Sequence, residues 1–174
     1  PREYLEKGKT DFTTLWLATG IQMRAQGVLV VNMAQILQRS ALMLVAKKAR
    51  GIETVADIDG RKVGLWGSVF QVQPMAFFRK FNLQVTVVPQ SRSLDLFLRD
   101  GVAVASAMWY NEFHTIVNSG LDPDELSLFF FKDLLPNFPE DGIYCFEDTY
   151  NRDPDLCRRF VSATLKGWLY AFEH

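Results

Sequence analysis

Gly60-Arg61-Lys62-Val63-Gly64-Leu65-Trp66-Gly67-Ser68-Val69-Phe70-Gln71-Val72-Gln73-Pro74 is the stretch on which the reading of this chain turns. Val63 to Trp66 is a short apolar run with turn residues on both sides, the pattern of a central strand covered on both faces. Gly67 is free to take a positive φ. Ser68 suits the N-cap of a helix and Pro74 its first turn. A strand that runs into a helix N-terminus leaves backbone N–H groups unpaired, where an anion or the edge of a heterocycle can bind. An ordinary strand-to-helix turn carries the same residues, so the rest of the chain has to decide between the two.

Downstream, the pattern predicts a helix over 72–81 with Met75, Phe78 and Phe81 on one side, then a strand over 84–88. Ser91 or Ser93 caps a helix that Gly101 ends, and Leu94, Phe97 and Leu98 form its apolar stripe. A small-residue strand over 102–108 then leads through Trp109 into a helix ending at Gly120. Residues 128–131 and 143–146 read as strands, with a proline- and acid-containing loop over 136–142 between them. Asp153 and Pro154 are N-cap and first residue of a last helix, which is expected to bury Phe160, Leu165, Trp168 and Leu169. Upstream, residues 2–7 are helical, 10–15 form a strand, a helix follows to Gly27, and 28–31 and 41–46 are short apolar strands. This alternation predicts an α/β fold with largely parallel strands.

The chain also repeats itself. A shift of 93 residues lays Gly8 on Gly101, Trp16 on Trp109 and Gly27 on Gly120. Each copy reads helix, glycine, strand, tryptophan, helix, glycine. Each tryptophan sits at the carboxyl end of its strand, where open α/β sheets bind their ligands. Two such copies predict two similar lobes with a small-ligand cleft between them.

Composition narrows the functional classes. The 174 residues are 48% hydrophobic and 22% charged, enough for a sizeable core. A net charge of −1 gives no electrostatic footprint for nucleic acid. No run of 18 apolar residues is available to span a membrane, and no signal peptide opens the chain, which starts inside a helix. Cys145 and Cys157 stand twelve positions apart, which is not a metal-ligand spacing. A disulfide is open to them, and on its helix Cys157 reads as a small buried residue. No Ser/His/Asp set, carboxylate pair or metal-ligand cluster points to catalysis, so no catalytic residue, metal or cofactor is expected.

Four segments taken together carry a resemblance: Asp11-Phe12 with Trp16, then 35–42, then 56–67, then Met108-Trp109-Tyr110-Asn111-Glu112-Phe113. In this order they resemble the type-2 periplasmic binding proteins of ABC importers. The branch that binds pyrimidine precursors of thiamine is the most similar, and it shares its fold with the yeast-type pyrimidine-precursor synthase. Alkanesulfonate- and nitrate-binding proteins are more distant relatives. The resemblance implies two lobes joined by crossing strands near 41–47 and 142–147. A partial first lobe would come from 1–47 and 148–174, and a second, complete lobe from 48–141. Family members begin the first lobe with a further strand, helix and strand, so a truncated first lobe is expected here. The implied function is capture of a small heterocycle, a pyrimidine-like ligand, and its delivery to an ABC permease outside the cytoplasm, with or without a lipid anchor. Two alternatives stand beside it, a synthase-like enzyme and the ligand-sensing module of a signalling protein. The synthase type uses pyridoxal phosphate, a histidine and a cysteine-rich iron-binding segment. This chain has His114 and His174 and no cysteine cluster.

The candidate ligand-binding residues follow. Gly67, Ser68 and Val69 offer N–H groups at the strand-to-helix turn. Trp16 and Trp109 can stack on a flat ring. Glu112 can accept N–H bonds from an aminopyrimidine, which presents an amino group beside a ring nitrogen, with Tyr110 next to it. Gln38 and Arg39 precede the first crossing strand, and Arg39 would favour an anion. Tyr144 lies on the second crossing strand, and alternation alone leaves its face open. Trp66 is expected in the core. His114 is a lone histidine on a helix and is expected to be structural.

Overall fold

The strongest apolar run of the chain, Leu42 to Ala46, is buried on both faces as the middle of a sheet. The computed structural model describes residues 1–135 and 138–174. The two residues left out, 136 and 137, belong to the loop expected over 136–142; Asp141 and Gly142 already open a strand. The chain divides into two units, Pro1–Gln38 with Pro139–His174, and Arg39–Phe138.

The second unit is built on a five-stranded sheet in the order β5-β4-β6-β3-β7. Its strands are β3 (Leu42–Lys47), β4 (Lys62–Leu65), β5 (Thr86–Pro89), β6 (Val104–Met108) and β7 (Leu126–Phe130). β4 pairs in parallel with β5 and β6, whereas β3 pairs antiparallel with β6 and β7. Four strands therefore point one way and β3 alone runs against them. The helices α3 (Val72–Lys80), α4 (Asp95–Leu98), α5 (Glu112–Asn118) and α6 (Phe131–Leu134) flank this sheet. Leu94, Phe97, Phe113 and Ile116 pack on Met43, Val45, Ala105 and Ala107. α3 buries Pro74, Phe77 and Phe78 and leaves Met75 exposed. The expected face was one residue out of phase: with Pro74 in the first turn, the stripe runs 74, 77, 78, 81.

The first unit carries a three-stranded sheet in the order β1-β8-β2. It comprises β1 (Thr13–Trp16), β2 (Val30–Gln35) and β8 (Asp141–Phe146), and β8 runs antiparallel to both neighbours. α1 (Arg2–Glu6) and α2 (Leu17–Ala25) cover the face on which Leu5, Leu15, Met23, Val30 and Tyr144 form the core. α7 (Glu147–Arg152) and α8 (Pro154–Glu173) follow β8. In each sheet, the reversed strand is the one the chain forms just after passing into that unit. A strand entering a parallel set from its ligand edge has no other direction available.

The repeat is visible in the elements. Shifted by 93, α1, β1 and α2 fall on α4, β6 and α5. Gly27 and Gly120, which end the second helix of each copy, both have positive φ, 83° and 101°. One expectation fails. Phe160, Leu165, Trp168 and Leu169 of α8 are exposed. Within its unit α8 buries Cys157, and Phe160 stacks on Phe12 at 4.3 Å while staying 38% exposed.

Candidate ligand-binding site

In the second unit, parallel pairing brings the carboxyl ends of β5, β4 and β6 to one edge of the sheet. β3 enters at the same edge, since Leu42 pairs with Met108 and the Trp109 N–H donates to the Ala41 carbonyl at 3.0 Å. Arg39, the turn 66–71 and the segment 109–112 are thereby grouped at the end of the sheet. Gln90 fixes the spacing: its Nε2 donates to the Ser106 carbonyl at 2.9 Å, its Oε1 accepts the Ser106 N–H at 3.2 Å, and its own N–H donates to the Leu65 carbonyl at 2.9 Å. Nothing in the sequence pattern singles out Gln90; its role comes from being an amide buried between two strand ends.

The strand-to-helix turn differs from expectation in one respect. Gly67 is extended, with φ −76° and ψ 177°, and the left-handed residue is Ser68, with φ 61°. A non-glycine residue there costs about 1–2 kcal/mol. Ser68 makes no N-cap hydrogen bond, because a single 3-10 turn, Ser68–Gln71, intervenes before α3. Gly67 and Ser68 are exposed and Val69 is half-buried, so the turn presents backbone to solvent with an apolar shoulder. Trp66 is half-buried instead of a core residue, since its Nε1 donates to the Ser91 carbonyl at 3.0 Å and its ring meets Phe70 edge-on at 5.8 Å.

Trp109 is 44% exposed yet fixed. Its indole stacks on Phe113 at 4.7 Å and 19°, and meets Phe130 edge-on at 5.4 Å. Trp109 precedes α5, so this stacking comes from the turn that folds it back over the first turn of the helix. Tyr110 is exposed beside it. Glu112 opens α5 and grips its own turn: Oε2 accepts the Met108 N–H at 2.9 Å, and Oε1 accepts Asn111 Nδ2 at 2.9 Å. Each carboxylate oxygen has two acceptor positions, so one remains on each for a ligand donor. Arg39 is exposed and has no ion-pair partner among the described residues. His114 lies near the Trp109 ring, 6.1 Å between centroids.

The remaining candidates lie in the first unit. Trp16 ends β1, half-buried, in register with Asp141, whose carboxyl is held above its usual range by burial. Gln38 is exposed and its Nε2 donates to the Gln35 carbonyl. Tyr144 is 2% exposed and turned into the core against Gly20, and its hydroxyl accepts Asn32 Nδ2 at 3.1 Å. Burial raises its phenol above the ordinary value. That gives Tyr144 a packing task in the α2 face. Among the described residues no three His, Cys, Asp or Glu side chains are grouped to hold a metal ion. No helix of the described residues is long and apolar enough to cross a membrane.

An edge of exposed backbone, a braced indole and a turn-held carboxylate is an arrangement for holding a small molecule. The sequence pattern of the family described as NMT1/THI5 like matches residues 1–174. The chain belongs to that family. No curated protein sequence matches it. Among solved structures, the periplasmic aliphatic sulphonate binding protein SsuA of Escherichia coli superposes with a TM-score of 0.76 at 15% identity, over 92% of this chain and 56% of that one. The periplasmic sulfonate-binding protein SsuA of Methylobacillus flagellatus KT gives 0.73 at 17% identity, over 94% of this chain and 50% of that one. A substrate-binding protein of an ABC uptake transporter from Streptococcus pneumoniae, with bound histidine, gives 0.59 at 16% identity, over 95% and 67%. The chain thus spans about half the length of the two SsuA proteins. At these identities the likeness is one of fold: this NMT1/THI5-like chain has the α/β fold of type-2 periplasmic binding proteins, as the sequence led one to expect.

Proposed function

We propose that this NMT1/THI5-like chain is a substrate-binding component of an ABC importer, working outside the cytoplasm. It captures a small heterocycle of the aminopyrimidine class and presents it to the permease. The observation that carries the reading is the Trp109 platform beside Glu112. A fixed indole face accepts a flat ring, and the free lone pairs of Glu112 accept the N–H bonds of its amino group. The family membership and the fold support the binding role. A sulfonate, which the SsuA relatives bind by name, is the competing ligand class. Arg39 would favour it, but a carboxylate beside the platform opposes an anion, and Val69 and Phe70 narrow the turn. Trp16 and Gln38, at the corresponding strand ends of the first unit, are the proposed contacts from the other lobe.

A thermal-shift panel of formylaminopyrimidine, hydroxymethylpyrimidine, taurine and nitrate tests the ligand class. The expected result is a raised midpoint with an aminopyrimidine only. A shift with taurine or nitrate alone, or with none of the four, overturns the reading. Calorimetry then tests the contact: Glu112→Gln is expected to weaken pyrimidine binding by about 1–3 kcal/mol, the loss of a charged hydrogen bond. Unchanged affinity removes Glu112 from the site.

A further inference from the structure

Successive residues of a strand face opposite sides of the sheet. In β8, Tyr144 faces the α1–α2 core, so Cys145 faces the other way, toward the helices that follow the strand. Cys157 stands in the first turns of α8 and is the residue that helix buries. Cys145 is 0% and Cys157 2% exposed, and neither thiol is bonded to another sulfur. Cys157 is the neighbouring side chain that acts on the Cys145 thiol, with the Tyr150 backbone close by. Burial, with Cys157 beside it, pushes the Cys145 thiol up to about 12. Cys157 lines an open cavity of about 720 Å³ with Met33, Tyr150 and Arg158, and Cys145 is not part of that lining. This is a pair of buried, neighbouring thiols, one of which borders a cavity.

We propose that Cys145 and Cys157 form an intramolecular disulfide that ties β8 to α8. The oxidant is a disulfide of the thiol-exchange class that extracytoplasmic compartments maintain. Cys157 gives up its proton, and its thiolate attacks one sulfur of the oxidant, breaking that S–S bond and releasing one thiol. Cys145 then loses its proton and attacks Cys157 Sγ, which expels the second thiol. Two protein thiols lose two electrons and one disulfide becomes two thiols, so the exchange balances. The high position of the Cys145 thiol makes the second step slow in the folded chain, so oxidation belongs to folding or to local opening of α8. Closure joins residues twelve apart and pins the helix whose outer face is apolar to the strand that opens the unit's return segment.

Only the identity of the oxidant rests on the extracytoplasmic reading, and the test supplies the oxidant itself. The full chain is unfolded and refolded in a reduced and oxidised glutathione buffer, then alkylated under denaturing conditions and analysed by intact mass and peptide mapping. The expected product is a monomer lacking two hydrogens, with a 145–157 cross-linked peptide and a melting midpoint a few degrees above that of the dithiol form. Cys157→Ser is expected to fold, to leave Cys145 alkylated, and to show the same midpoint in both buffers. Two alkylated thiols after refolding, a cross-link only between chains, or an oxidised midpoint at or below the reduced one overturns the proposal. Ligand panels on both redox forms report separately on the binding function.

Discussion

Gly20 shows how one missing atom sets a contact. It lies within α2, where alanine would ordinarily gain about 1 kcal/mol over glycine. A Cβ here would stand 2.5 Å from Tyr144 Cε1 and 2.8 Å from Cζ. That is a clash with a ring already fixed by burial and by Asn32, so it cannot be relieved by a rotamer change. Overpacking of this kind costs about 1–3 kcal/mol and outweighs the helix propensity. Gly20→Ala is expected to lower the denaturation midpoint. Placing Tyr144→Leu beside it is expected to recover part of the loss, a non-additivity that a double-mutant cycle measures. Equal effects of Gly20→Ala in both backgrounds would show that the two residues are not coupled. The same contact settles the face of Tyr144 that strand alternation leaves open, turning the ring into the core. Alternation along β8 offers two faces, and the glycine opposite, 124 positions earlier in the chain, decides which face takes the ring.

At the level of elements, the sequence was legible wherever a local chemical need recurs. Asp153 ends α7 and caps α8: its Oδ1 accepts the Leu156 N–H at 2.9 Å, with Pro154 as the first helical residue. Asp153→Ala is expected to cost about 1 kcal/mol, and Asp153→Asn much less, since both amide and carboxylate oxygens accept that N–H. Equal losses in thermal denaturation would assign the effect to charge instead of capping. The repeat was legible for a similar reason, because two copies of one turn need glycine at the same left-handed position. Illegible features were those fixed by neighbours distant in sequence. The positive φ at Ser68 in place of Gly67 depends on how the 3-10 turn meets the sheet edge. The part of the candidate site grouped in the second unit, Arg39 with 67–69 and 109–112, follows from strand order, which spacing does not contain. Glu112 was recognised by residue type, but its grip on Met108 and Asn111 was not, because a side chain returning to its own turn leaves no periodic mark.

At the scale of the whole molecule, low net charge and exposed apolar surface act together. The chain carries a formal charge of −1 and a sequence pI of about 6.2, so near that pH little repulsion keeps molecules apart. α8 meanwhile presents Leu165, Trp168, Leu169 and Phe172 to solvent, a contiguous helical stripe of the sort that drives association. Neither factor suffices alone: scattered surface apolar residues are normal, and a near-neutral protein with a polar surface stays dispersed. Their combination predicts concentration-dependent self-association of the 174-residue chain that is strongest around its pI and falls as pH rises. Leu169 is 61% exposed, so little of its packing is at stake. Leu169→Glu interrupts the stripe and adds a negative charge, so it is expected to reduce association at neutral pH while leaving the circular dichroism spectrum and melting midpoint of the monomer unchanged. Light scattering over a dilution series measures the first and thermal denaturation the second. If the variant associates as strongly as the parent, the stripe is not the contact surface, and if its midpoint drops, Leu169 is packed within the unit after all.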